Sequence, residues 1–269
     1  MKLLFIFLFL GVFRGAAEAV DNLRQPDVRS VGVGGNMVTQ SVLFNPALIA
    51  ERACKSIHIE YFNRYMLKEL GTFSGSFYFP NPLLAAGVDI SAFGFDKYRE
   101  AMVRLALGKQ LGERWSAGVA IHYSFLQSEL LERGKSRLAT DIGIIYKPLE
   151  NLLTGVFIMN IPSLSLGDKS VEIDDFESYL MQIGFQWKIM NDLFIMGSLG
   201  ANQSRSLTGN IGAEYQVLNA FFVRLGLRTM PLLPSLGVGY RFSRFAVDAA
   251  AIYHTVLGMC TGVGLSFHF

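Results

Sequence analysis

The side chains able to do chemistry in this chain are few and scattered. The four histidines are His58, His122, His254 and His268. No two have the short spacing that presents a pair of metal ligands, so no metal site is expected. His254 and Asp248 fall on one face of one segment, as two members of a hydrolytic site would, but no serine can be assigned as their nucleophile. The expectation is a protein without catalytic residues or cofactor. Cys54 and Cys260 are the two cysteines, too few for a disulfide framework. The remaining candidates are lone charges set among apolar neighbours: Glu60, Asp89, Asp141, Glu214 and Asp248, with Arg104, Lys188, Arg224, Arg228 and Arg241. Isolated charges of both signs can pair across an interior, or line a polar path. A cluster such as Arg224, Arg228 and Arg241 could instead hold a ligand carboxylate.

The elements that carry these residues follow from composition and period. The chain has 269 residues, of which 51% are hydrophobic, 13% aromatic and 17% charged. An average soluble domain is about 25% charged. With 24 basic against 22 acidic residues and no basic cluster, nucleic-acid binding is excluded as an expectation. Residues 1–19 read as a cleaved signal peptide. Lys2 opens it, an apolar run covers residues 3–13, and Ala17-Glu18-Ala19 supplies a small-x-small site. The run would rise only about 16 Å in a helix, against roughly 30 Å of hydrocarbon. No later stretch is apolar for long enough to cross as a helix, and the alternative membrane architecture is a closed barrel.

From residue 57 onward the period is two. Near the end, Val263, Leu265, Phe267 and Phe269 alternate with Gly262, Gly264, Ser266 and His268. Similarly, Val119, Ile121 and Tyr123 alternate with Gly118, His122 and Ser124. Fourteen such segments are predicted, at residues 57–66, 70–79, 83–93, 101–107, 115–125, 138–146, 152–161, 179–189, 192–203, 207–217, 220–229, 235–242, 245–254 and 258–269. That is an even number at lengths suited to a tilted spanning strand, which needs about 9–11 residues. The fold class expected is all-β, a transmembrane antiparallel barrel over residues 56–269. Alternate connections are short, at Pro80-Asn81-Pro82, Ser243-Arg244 and similar pairs. The others include residues 127–137 and the longest, 160–178. That asymmetry is the one outer-membrane barrels show between periplasmic turns and outer loops. The alternation predicts that Glu60, Asp89, Arg104, His122, Asp141, Lys188, Glu214, Arg224, Arg228, Arg241, Asp248 and His254 face the lumen. It also predicts Cys54 and Cys260 at opposite ends, as free thiols.

Residues 20–55 lack the alternation. They carry Gly32, Gly34 and Gly35, and then Asn45-Pro46-Ala47. The glycines do not form a nucleotide loop, because no strand precedes them and no Gly-Lys-Ser/Thr follows. A glycine-rich stretch that ends in Asn-Pro-Ala ahead of a barrel resembles the start of the FadL family of long-chain fatty-acid transporters. It also resembles the related PorV/PorQ proteins of Bacteroidetes, linked to type IX secretion. The resemblance implies a fourteen-stranded outer-membrane barrel with the first segment folded into the lumen as a hatch. Size argues the same way: about eight strands can be filled by side chains, whereas fourteen leave space that something must occupy.

Two functions stay open at this point. One is a gated conduit for small hydrophobic molecules, with outer-membrane lipid around it and a hydrophobic ligand in its lumen. The other is a docking or structural barrel for envelope or secretion partners, for which the acidic stretch 172–177 is a candidate contact.

Overall fold

A computed structural model of the chain describes residues 22–129, 134–166, 179–202 and 207–269. The signal-peptide reading of residues 1–19 and the acidic stretch 172–177 lie outside the described residues. Within them the strands are β1 (Ser56–Asn63), β2 (Gly71–Phe79), β3 (Ala85–Phe95), β4 (Tyr98–Gln110), β5 (Trp115–Ser128), β6 (Lys135–Leu149), β7 (Leu152–Met159) and β8 (Ser163–Leu166). They continue as β9 (Leu180–Met190), β10 (Leu193–Asn202), β11 (Leu207–Leu218), β12 (Phe221–Arg228), β13 (Leu233–Phe242), β14 (Phe245–His254) and β15 (Gly258–His268).

Apart from β8, each strand pairs antiparallel with two neighbours in the ring, β6 taking β8 as a third, and the ring closes where β1 meets β15. The seam runs from Ser56↔His268 to Asn63↔Thr261, and Phe269 N–H donates to the Lys55 carbonyl at 2.9 Å. The result is a closed antiparallel barrel of fourteen strands with one extra strand, β8, which pairs with the far end of β6. A ring has no edge strand, so no row of backbone donors is left open.

Side chains sort as the period of two requires. On β5, Val119, Ile121, Tyr123 and Phe125 point out and are exposed, while Ser116, Ala120, His122 and Ser124 are buried. The neighbouring strands continue the outer band with Val103, Leu105, Ile142 and Ile144. An unbroken apolar exterior of this kind is matched by hydrocarbon and not by water. Trp115 stacks on Tyr146 at 4.2 Å between ring centres, and Phe267 meets both Phe245 and Phe269. These rings gather at the end that holds the short turns and the chain terminus. No helix among the described residues is long and apolar enough to cross a membrane.

Several boundaries differ from the sequence expectation, and three strands show why. β1 stops at Asn63 and not at residue 66, because Tyr65 and Met66 adopt positive φ and Arg64 N–H turns back to the Leu70 carbonyl. β4 is longer than residues 101–107, since Arg99, Glu100 and Lys109 pair in the ladder although they are charged. β7 ends at Met159 because Asn160 has φ of 63°. The chain then re-enters the sheet as β8, which the period of two did not reveal.

Residues 22–55 precede the barrel and lie against the inward faces of its strands. They contain a short helix, α1 (Val28–Gly32), and a 3-10 turn, Pro46–Glu51. Asp27 caps α1 by accepting from Ser30 N–H at 2.8 Å, and Asn45 caps the 3-10 turn by accepting from Ala47 N–H at 3.2 Å. Pro46 at the first position costs no hydrogen bond there.

Candidate functional site: the lumen and the segment within it

Two chains of alternating charge join the segment to the wall. In the first, Arg24 of the segment meets Asp141 of β6 at 3.2 Å. Arg104 of β4 shares Asp141 at 3.2 Å and reaches Asp89 of β3 at 2.7 Å. Tyr78 donates its hydroxyl to Asp89 at 2.8 Å, and His122 lies 2.5 Å from Arg24. In the second, Arg29 of α1 meets Glu214 of β11 at 2.6 Å. Arg224 of β12 shares Glu214 at 2.6 Å and reaches Asp248 of β14 at 2.6 Å. Each chain therefore reads segment arginine, wall acid, wall arginine, wall acid. A buried ion needs such partners, because an uncompensated charge removed from water costs several kcal/mol. Burial works against the Arg29 charge, and Glu214, Asp248 and Asp27 together outweigh it and raise its pKa.

Neutral contacts continue the attachment. Asn36 donates its amide to the Phe185 carbonyl at 3.3 Å, and Asn210 donates to the Gly35 carbonyl at 3.1 Å. Gly34 N–H donates to Ser235 Oγ at 3.0 Å, and Gln40 donates to Gln186 Oε1 at 2.6 Å. Glu51 accepts from Ser116 at 2.5 Å and pairs with Lys147.

The glycines of the wall explain how backbone can lie on backbone here. Gly108, Gly118 and Gly143 form one row across β4, β5 and β6. A Cβ on Gly118 would fall 2.4 Å from Ala47 N, and one on Gly143 would fall 2.0 Å from Asn45 Oδ1. Across the lumen, a Cβ on Gly226 would fall 1.9 Å from Gly34 N. Gly34 and Gly35 themselves have φ near 81° and 82°, a region that other residues rarely occupy. Thus Gly32, Gly34, Gly35, Asn45, Pro46 and Ala47 all sit at points where the segment touches the wall or turns along it.

The interior has two unlike regions. Towards the long-loop end, Leu23, Val38, Leu43 and Phe44 of the segment pack on Phe93, Met102, Phe157, Met159 and Leu180 of the wall. Towards the short-turn end a cavity of about 380 Å³ lies between the segment and β1–β3 and β13–β15, lined chiefly by polar groups.

Of the lumen candidates, Asp89, Arg104, His122, Asp141, Glu214 and Arg224 are fully buried and brought together with the segment. Asp248 joins them at one end, and Glu60 accepts from Val28 N–H at 3.4 Å. Lys188 and Arg241 take inward positions at the short-turn rim, where they are exposed. Arg228 takes an inward position near the opposite end. His254 accepts from Val256 and Leu257 N–H and so stabilises the turn after β14. It has no catalytic partner among the described residues, Asp248 being engaged by Arg224. Cys54 and Cys260 are free. Sequence reasoning missed the segment's own side: Arg24, Arg29, Asn36, Gln40 and Glu51. The signal was available, since lone inward acids on the wall require cations from elsewhere.

No protein-family model and no curated sequence matches the chain. Solved structures do match its fold. The chain is similar to the Pseudomonas putida toluene transporter TodX, with a TM-score of 0.64 at 10% identity, over 93% of this chain and 98% of that one. It is similar to the CymD monoaromatic hydrocarbon channel, with a TM-score of 0.63 at 12% identity, over 91% and 97%. A Pseudomonas aeruginosa FadL homologue matches with a TM-score of 0.60 at 12% identity, over 91% and 98%. At such identities the likeness is one of fold.

Proposed function

We propose that the protein is an outer-membrane conduit for small hydrophobic molecules, exported by a cleaved leader, with residues 20–55 as the hatch of the conduit. The observation that carries the reading is the apolar cluster in the long-loop half of the lumen. Its wall members, Phe93, Met102, Phe157, Met159 and Leu180, point inward, where a barrel conducting polar solutes would present polar groups. Withdrawal of Leu23, Val38 and Phe44 would leave them as an apolar lining. Two fold neighbours, a toluene transporter and a monoaromatic hydrocarbon channel, agree with that chemistry. In this reading the short turns face the periplasm and the long loops face outward.

Within that class, the glycine-rich stretch that ends in Asn45-Pro46-Ala47 and the modest outer loops support a place near the PorV/PorQ branch. The barrel would there also dock envelope or secretion partners. The test is influx of a small aromatic hydrocarbon into proteoliposomes. The full chain should speed influx over protein-free vesicles, and deletion of residues 20–55 should raise it further and admit ions. Equal influx in all three preparations would refute the conduit. Influx unaffected by the deletion would refute the hatch.

A further inference from the structure

We propose that the cavity at the short-turn end is a binding site for a short zwitterion, of the class of free amino acids and dipeptides. The inference is independent of the hydrophobic conduit, because it concerns the other half of the lumen. Its basis is an unmatched separation of charge.

The wall of the cavity can be read in rows across the sheet. Glu60 lies in one row with Ser74 and Ser91. Asp27 precedes Val28, whose N–H reaches Glu60, so two carboxyl groups meet there. Two residues along β1, about 6.6 Å away at 3.3 Å per residue, the next row contains Arg241, Ala246, Ser266, His58 and Ser76. Beyond it lie His268 and Tyr78, both level with Ser56, and Arg52 lies over the Tyr78 ring at 5.4 Å. The deep end therefore carries Asp27 and Glu60, beside the already paired Arg29 and Asp248, and the rim carries Arg52 and Arg241.

None of these four charges has an ionic partner among the described residues. Neither Arg52 nor Arg241 has a carboxylate within 4 Å, and neither Asp27 nor Glu60 has a cation within 4 Å. Arg241 instead stacks on Phe222 at 4.2 Å. Elsewhere in this lumen the buried opposite charges are paired in chains, whereas around this cavity the half-buried Asp27, Glu60 and Arg52 have no ionic partner. Two buried hydroxyls point the same way. Ser41 and Ser91 line the cavity, and their Oγ atoms have no hydrogen-bond partner. Buried polar groups without partners are rare in folded proteins.

A ligand that satisfies all of these carries an ammonium for Glu60 and Asp27 and a carboxylate for Arg52 and Arg241. An extended dipeptide spans roughly 7 Å between its ends, long enough to bridge one step between rows along β1. A cavity of about 380 Å³ admits it with room for water. The lining residues all lie on the segment or at inward positions of the wall, so the ligand is a free solute and not a lipid headgroup.

The test is calorimetric titration of the full chain in detergent with alanyl-alanine, N-acetyl-alanyl-alanine, alanyl-alanine amide and dodecanoate. Saturable binding of alanyl-alanine is expected, with each singly charged analogue at least about tenfold weaker. E60Q should weaken alanyl-alanine about tenfold and leave the N-acetyl form unchanged. R241Q and R52Q should weaken alanyl-alanine and leave the amide unchanged. This matched loss separates ligand contact from a general loss of structure. No saturable binding, analogues that bind as well as the dipeptide, or tighter binding of dodecanoate would each overturn the proposal.

Discussion

The two charge chains have the same order of groups and differ in their surroundings. In the Arg24–Asp141–Arg104–Asp89 chain every side chain is 1% exposed or less. In the Arg29–Glu214–Arg224–Asp248 chain the inner members are as deeply buried, but Arg29 is 34% exposed and Asp248 18%. The first sits below the apolar cluster, and the second borders the polar cavity. One pattern of charge thus serves as a dry anchor on one side of the lumen and a wet one on the other. In the dry anchor the pairing must be complete. In the wet one solvent screens what the protein leaves open.

The largest expected effect follows from that contrast. Arg24→Met removes one of the cations on Asp141 where no water can replace it, so the folded barrel should lose about 3–5 kcal/mol. Urea titration of the protein in micelles, followed by tryptophan fluorescence, measures the loss. A cost as small as that of the wet anchor would show that the segment does not depend on this contact.

Next in size is Gly118→Val, placed where the wall meets Ala47. Its side chain needs space that the segment backbone fills, and overpacking typically costs about 1–3 kcal/mol. The segment should lift from β4–β6, and ion leakage through proteoliposomes should rise. A tight barrel with unchanged stability would mean that the segment can shift without opening a path.

How far the sequence revealed this arrangement depends on which surface a residue faces. The ring of fourteen strands was legible because lipid imposes the alternation on every outward position, and Val119, Ile121 and Tyr123 announce it without reference to any other strand. The inward positions were legible as a face, and Asp141 and Arg104 were placed on it. Their partners were not, because pairing depends on the register between nearby strands and on where the segment lies against them. Arg24 and Arg29 gave no periodic signal at all, lying in a segment whose shape is set by the wall and not by its own propensities. Wall glycines such as Gly118 looked like small members of the inner face, and their role as contact points for backbone emerges only with the segment in place. β8 was hidden for a related reason: four residues are too few to display a period.

Arg29→Met should cost less than Arg24→Met, about 1–2 kcal/mol: each wall acid keeps a second arginine, but only the Arg29 guanidinium was partly hydrated. The same urea titration ranks the pair, and the reverse order would contradict the division into dry and wet sides.

The smallest effect tests the cavity side by the opposite manipulation. Ala246 and Ala106 are both small, buried and inward. Ala106 packs with Ile49, Ala47 and Ala120 in a filled cluster, whereas Ala246 lines the open cavity. Enlargement to leucine should therefore cost about 1–3 kcal/mol at Ala106, where the new atoms have nowhere to go. At Ala246 it should cost within about 0.5 kcal/mol, because they enter space already present. The same Ala246→Leu variant narrows the site between Arg241 and His58, so it should fold normally and fail to bind alanyl-alanine. Equal penalties at the two alanines would mean that the cavity side is as tightly packed in solution as the anchor opposite.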